Sequence, residues 1–292
     1  MRPRTRVLRM SGFAALAALG AVALGAAPRT RAGDRAPTPK QFRVCSDPNN
    51  LPFSNRKGEG FENKIAELIA RDLHATVTYD WLAQNRGFAR KTLKTGACDV
   101  IMGVPAHYDP VLTTEPYYRS TYVFVTRADR GLHITSFDDT VLRHLTIGVH
   151  LVGDDGVNPP PAMALGARGI VDNVKGYELI GDYSQPNPPA RLIDAVARGD
   201  VDVAVVWGPL AGYFATREPT KLVLTPVHPA VDATGLRFAY AIAMGVRKGD
   251  TALKATLDSL ITRERPAIQR ILDAYGVPRA EPDSSERASR TP

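Results

Sequence analysis

The order of apolar patterns along this chain leaves few folds open. From Phe42 onward, short β-like runs alternate with amphipathic helical stretches, stop, and begin again in a second block, with extended runs between the blocks. The first block opens with Phe42 to Cys45 and a turn-rich loop, Ser46-Asp47-Pro48-Asn49-Asn50. After the glycines at 58 and 60, Phe61, Ile65, Leu68, Ile69 and Leu73 recur at helical spacing and predict one apolar stripe. Thr76 to Trp81 alternates as a strand, Arg86 to Thr95 reads as a short helix closed by Gly96, and Val100 to Val104 as a buried strand. β-α-β-α-β in this order implies a parallel sheet with right-handed crossovers.

The second block repeats the theme. Strands are predicted at Leu145 to Val149, Val201 to Val206 and Leu222 to Pro226, and helices at Ala162 to Arg168, Ala190 to Arg198 and Pro209 to Arg217. Tyr122 to Arg127 is an extended run leading out of the first block, and Ala239 to Val246 one leading back. A long C-terminal helix carries Leu253, Leu257, Leu260, Ile261, Ile268, Ile271 and Leu272 on one side and is interrupted near Pro266. The expected architecture is therefore α/β, two lobes joined by a two-strand hinge: 41–125 plus 239–277 as lobe 1, 126–238 as lobe 2, and a polar, disordered tail over 278–292. Ligands of open α/β sheets sit beyond the carboxyl ends of strands. That rule nominates Asp47 to Phe53, Pro105 to Asp109, His150 to Gly156, and Trp207 with Gly208.

Export decides how the charge is read. Arg2, Arg4, Arg6 and Arg9 precede Gly12 to Ala27, an Ala/Leu/Val/Gly run too short to cross roughly 30 Å of hydrocarbon as a helix. This is the pattern of a secretory signal peptide, here residues 1–32, and not of a stable membrane anchor. Gly33 to Lys40 follows as a disordered lead-in. The formal charge is +7, but the first 32 residues hold six arginines and no acid, so the remainder stands at +1. The basicity belongs to the leader, and nucleic-acid binding is excluded on that ground.

Longer motifs narrow the class. Thr113-Thr114-Glu115-Pro116-Tyr117-Tyr118 before the outgoing run resembles type 2 periplasmic solute-binding proteins, the receptors of ABC importers, over residues 42–277. Asp47-Pro48-Asn49-Asn50-Leu51-Pro52-Phe53-Ser54-Asn55, Gly58-Glu59-Gly60-Phe61-Glu62-Asn63 and Pro116-Tyr117-Tyr118-Arg119-Ser120-Thr121-Tyr122 are more specific. With Gly181-Asp182-Tyr183-Ser184-Gln185-Pro186-Asn187 and Trp207-Gly208-Pro209-Leu210-Ala211-Gly212-Tyr213, they are similar to the quinoprotein-dehydrogenase-associated binding proteins of the MoxJ/XoxJ type. The resemblance implies a periplasmic protein accessory to a PQQ-dependent methanol or alcohol dehydrogenase, of the calcium or lanthanide kind, with a part in its assembly or activation. The partners implied are that dehydrogenase and its cytochrome c.

The anchors of an amino-acid receptor are altered here. A zwitterion needs a fixed cation and a fixed anion, because unpaired buried charges are costly. The related receptors carry an Arg shortly before the Pro-Tyr-Tyr segment; here Pro105-Ala106-His107-Tyr108-Asp109 has none. Their Gly-Thr-Thr anion cradle is replaced by Gly153-Asp154-Asp155-Gly156, and the Asp after the lobe-2 strand by Trp207. Rings stand instead: Phe53, Tyr108, Tyr118, Tyr183 and Trp207, which suit a protein segment. The candidate cleft residues are thus Asn49, Asn50, Phe53, Pro105, Tyr108, Asp109, Tyr118, Arg119, Asp154, Asp155, Tyr183 and Trp207.

Other constellations are bland. Gly58-Glu59-Gly60 lacks the third glycine of a dinucleotide fingerprint, and no Walker motif, nucleophile elbow or zinc-ligand spacing occurs. Asp154 and Asp155 read as helix caps before they read as metal ligands. No catalytic residue, resident metal or cofactor is expected. Cys45 and Cys98 are the only cysteines. The 2-1-3 strand order of this fold makes their strands neighbours, about 4.8 Å apart, which predicts a disulfide in an oxidising compartment. The expected function is a non-catalytic accessory to the dehydrogenase acting through the interlobe cleft. The alternative is an ABC-importer receptor for a small solute other than an amino acid.

Overall fold

Parallel pairing organises the first third of the chain. In the computed structural model, which describes residues 40–151, 158–181 and 183–281, β1 (Gln41–Ser46) runs parallel to β4 (Thr76–Trp81) on one side and β5 (Val100–Pro105) on the other. This is the expected 2-1-3 order. Between β1 and β4 lie a small ribbon, β2 (Asn49–Asn50) with β3 (Ser54–Asn55), and helix α1 (Phe61–Asp72). The stretch expected as one helix over 86–95 divides into α2 (Phe88–Lys91) and a 3₁₀ turn at Leu93–Thr95. Thr92 causes the break: its hydroxyl donates back to the Phe88 carbonyl at 2.8 Å, the local competition that makes Thr a poor helix interior.

One strand belongs to both lobes. After β6 (Leu112–Thr113), β7 (Tyr118–Arg127) pairs through Tyr118–Thr121 with β12 (Ala239–Val246), which in turn pairs with β5. From Tyr122 onward β7 pairs with β10 (Val203–Trp207) and β11 (Leu222–Pro226). Beyond β10 come β8 (Ile147–His150) and β9 (Val174–Tyr177), both parallel-paired. The outgoing crossing thus begins at Tyr118, four residues earlier than its apolar run indicates. Ala239 to Val246 leads back as expected: β12 starts beside Thr121, directly after Phe238 of the lobe-2 core, and runs into lobe 1 between β7 and β5. β9, Val-Lys-Gly-Tyr at a sheet edge, has no apolar alternation to announce it.

Strand alternation feeds opposite faces. In lobe 1, Val44, Val100 and Met102 pack beneath α1, α6 (Thr251–Arg263) and α7 (Arg265–Ala274), against Phe61, Ile65, Ile69, Leu257, Ile261 and Leu272. In lobe 2, Ala204 and Val206 meet α4 (Arg191–Arg198) and α5 (Gly208–Ala215), while Val203 and Val205 face the side of α3 (Pro160–Ala167) with Phe124, Phe137 and Ile147. Pro266 falls in the first turn of α7, where its missing N–H is no loss, and separates it from α6. Residues 278–280, placed by composition in the tail, are hydrogen bonded to β7: Ser120 Oγ donates to the Pro278 carbonyl at 2.7 Å, and the Ala280 N–H to the Arg119 carbonyl at 3.2 Å. The expected signal peptide, most of the lead-in, Asp154 and Asp155 lie outside the described residues. No helix among the described residues is long and apolar enough to cross a membrane.

Cys45 and Cys98 form the expected disulfide, with Cα atoms 5.5 Å apart, buried among Phe88, Leu93 and Ile101 on the other face of the lobe-1 sheet. It closes a sequence separation of 53 residues. In the chain-entropy account a loop of that size contributes about 4 kcal/mol. Replacing both cysteines with alanine is expected to lower the urea-unfolding free energy by about that amount; an unchanged unfolding curve would refute the contribution.

Candidate functional site

The carboxyl ends of the strands of both lobes converge on one cavity of about 420 Å³. Lobe 1 supplies Asn50 and Phe53 from the β1–α1 loop, Pro105 from the end of β5, and Tyr240 and Ile242 from β12. Lobe 2 supplies His150 from the end of β8, Leu179 and Ile180 after β9, Trp207 from the end of β10 and Leu210 from α5; Tyr122 of the shared strand completes the wall.

Local chemistry fixes the β1–α1 loop. Asp47 is fully buried and its carboxylate accepts the N–H groups of Asn49 and Gln84, each at 2.8 Å. The first amides of α1, which have no partner inside the helix, donate to the loop: Phe61 N–H to the Pro52 carbonyl at 2.8 Å and Glu62 N–H to the Phe53 carbonyl at 2.9 Å. Phe53 is thereby presented edge-on to Phe61, with centroids 5.3 Å apart.

The aromatic wall is continuous. Tyr122, Trp207 and Tyr240 meet edge to face, with centroids 5.3 and 5.9 Å apart. The Trp207 indole lies beside the Tyr118 hydroxyl, and the Tyr240 hydroxyl donates to the Arg237 carbonyl at 2.9 Å. Faces and edges of rings are left for an occupant. Among the described residues lining the cavity there is no Asp, Glu, Lys or Arg. Its one ionisable base, His150, is held neutral: burial pushes the imidazole down to about 4. The described lining therefore offers area, the polar groups of Asn50 and His150 beside those of the rings, and no fixed charge.

Of the residues nominated by sequence, the cavity gathers Asn50, Phe53, Pro105 and Trp207. Asn49 stands near them, its Nδ2 donating across the lobes to the Gln185 carbonyl at 2.9 Å. Tyr183 is half-exposed on the same lobe-2 loop, its phenol pushed up to about 12 by burial and by the charge of Asp47 across the lobes, with Arg56 opposing. Tyr108 and Asp109 are on an exposed turn after β5, where Asp109 pairs with Lys248 at 3.2 Å. Tyr118 is a core residue, packed edge-on to Phe61 and Tyr117. Arg119 is paired with Ala241, so strand alternation turns it away from Tyr240 and Ile242, toward a separate cavity of about 260 Å³ with Gln269 and Arg279. Tyr122, Tyr240 and Ile242 were missed by the strand-end rule because they sit within hinge strands; alternation along Tyr240-Ala241-Ile242 is the signal that places two of them on one face.

One buried acid lies outside this inventory. Glu62, in the first turn of α1, is fully enclosed and faces Gly103, where a Cβ would fall 2.1 Å from its Oε1. A bulge makes the niche: Met102 and Gly103 of β5 together oppose Met244 of β12, which re-aims the strand. The Met102 carbonyl is capped by the Tyr117 hydroxyl at 2.8 Å. Burial pushes the Glu62 carboxyl up to about 8.

Comparison with known proteins fits this geometry. Residues 42–277 match the bacterial extracellular solute-binding proteins, family 3. The chain belongs to that family. Protein MoxJ of Methylorubrum extorquens is 35% identical over 293 residues, covering 95% of this chain and 96% of that protein. Protein MoxJ of Paracoccus denitrificans is 30% identical over 253 residues, covering 81% and 88%. The crystal structure of periplasmic binding protein XoxJ from Methylobacterium extorquens AM1 superposes with a TM-score of 0.67 at 32% identity, over 82% of this chain and 100% of that one. Within family 3 the chain is thus of the MoxJ/XoxJ type.

Glu62 yields a sign-definite prediction. The folded state keeps the Glu62 proton up to about pH 8, whereas the unfolded chain releases it near the ordinary 4.5. Between those values the folded state binds more protons, so stability falls as pH rises, by as much as ~1.4 kcal/mol per unit. Glu62→Gln, isosteric and unable to ionise, is expected to flatten the dependence of Tm on pH over that interval. Parallel curves for the two proteins would contradict the assignment.

Proposed function

We propose that this family 3 protein is a non-catalytic periplasmic binding protein that serves a PQQ-dependent methanol or alcohol dehydrogenase, engaging a segment of the immature enzyme in the interlobe cleft. The observation that carries the reading is the ring-lined cavity, whose described lining carries no charge. An amino acid brings two charges that the described lining cannot neutralise, and desolvating them unpaired is strongly unfavourable. An apolar or aromatic side chain borne on a polypeptide is compatible with that lining, and rigid rings bind such groups with little loss of rotamer freedom. The relatives named MoxJ and XoxJ support the dehydrogenase as the partner class, and through it the cytochrome c.

A second reading has its own support. A cavity of about 420 Å³ is within the range of small-molecule sites, so an ABC-importer receptor for an uncharged solute also fits the dimensions.

Affinity capture from periplasm with the tagged, full-length export product is expected to recover the dehydrogenase. Trp207→Ala, which removes the central ring and leaves the charge unchanged, is expected to reduce that recovery at least tenfold, a loss of about 1.4 kcal/mol. Undiminished dehydrogenase activity in a strain lacking the gene would sink the accessory role; a single small solute raising Tm by several degrees would favour the importer reading.

A further inference from the structure

Hinged two-lobe proteins open by bending at the crossings while each lobe keeps its own core. In this molecule the cores are not separate. Leu51, on the β1–α1 loop of lobe 1, is 5% exposed and belongs to the apolar core of lobe 2, with Leu179, Leu192, Leu210 and Tyr213. The Asn49–Gln185 hydrogen bond lies two residues away and crosses the same boundary.

A second tie is formed by the chain's C-terminal segment. Tyr275, just past α7 of lobe 1, stacks on Tyr213 of α5 in lobe 2, with centroids 5.6 Å apart and planes at 16°. The same ring packs edge-on to Phe61 at 5.9 Å, and its hydroxyl donates to the Glu59 carbonyl, so it is fixed in lobe 1 as well. The next residue touches lobe 2 through backbone alone: a Cβ on Gly212 would lie 1.9 Å from the Gly276 carbonyl oxygen. Only glycine at 212 permits that approach. Pro278 and Ala280 then bond to Ser120 and Arg119 of the shared strand β7. Residues 275–280 are a strap laid over the hinge.

We propose that the lobes are permanently clasped, by Leu51 on one side and by the 275–280 strap on the other, so that the cleft is a preformed socket whose aperture does not change on binding. Opening would draw Leu51 out of a foreign core into water and unstack Tyr275 from Tyr213, in addition to bending β7. Binding here does not enclose a ligand by lobe closure; an occupant enters an aperture already set. The inference is independent of whether that occupant is a protein segment or a solute.

The test is a distance distribution between nitroxide-bearing unnatural residues at exposed Lys94 in lobe 1 and exposed Asp172 in lobe 2, measured by pulsed electron resonance on the full mature chain, so that no cysteine is added. The clasp predicts a single narrow population in the parent protein. Leu51→Ser is expected to add a longer-distance population while leaving the far-ultraviolet circular dichroism unchanged. If that variant does not fold, Tyr275→Ala, which frees only the strap, decides, with the same longer-distance population expected. A parent protein with two populations, or a folded variant indistinguishable from the parent, overturns the proposal.

Discussion

A charged group leaves water for a partly closed cleft only if a counter-charge or a set of hydrogen bonds waits for it, because the alternative costs several kcal/mol or more. That constraint orders the whole lobe-1/lobe-2 boundary of this protein. The described cavity lining holds rings, aliphatic side chains, Asn50 and a neutral His150. Trp207 stands at the end of β10 beside Tyr118, and Tyr240 has committed its hydroxyl to a carbonyl. A buried acid obeys the same rule: Glu62 is enclosed in its niche beside Gly103 and answers by holding its proton. Such a described lining offers an ionic ligand no counter-charge.

The fold delivers these residues through two devices. Parallel crossovers set the loops after β1, β5, β8 and β10 on one side of each half-sheet, and β7, common to both halves, brings those sides to face each other. Ligands of open α/β sheets sit beyond the carboxyl ends of their strands. Here the described lining at those ends carries no charge, and Leu51 and Tyr275 tie the facing walls together. Loss of the anchors and fixing of the aperture point the same way, toward docking of something that keeps most of its body outside.

Local signals were enough for most of the scaffold. Strand and helix periods marked β1, α1, β4, β5, β10, β11 and β12 closely, and the 2-1-3 order placed Cys45 beside Cys98. The same rule that puts ligands past strand ends led to Asn50, Phe53, Pro105 and Trp207. It also took in Tyr108 and Asp109, whose turn after Pro105 continues outward to β6; Tyr118, named for its ring, packs in the core beside Phe61. What stayed illegible depends on pairings distant in sequence. Tyr122 and Tyr240 meet Trp207 only once β7 pairs with β10 and β12, Leu179 and Ile180 follow an edge strand with no apolar alternation, and the Glu62 niche requires a bulge set by the β5–β12 register. An acid in the first turn of a helix reads in sequence as a favourable dipole partner on the surface, not as a buried proton carrier.

Isothermal titration of the purified mature protein with each of the common amino acids tests the central claim most directly. A cleft whose described lining carries no charge predicts no saturable binding of any zwitterion at millimolar concentration. A free amino acid bound with micromolar Kd, through this cavity and abolished by Trp207→Ala, would contradict it.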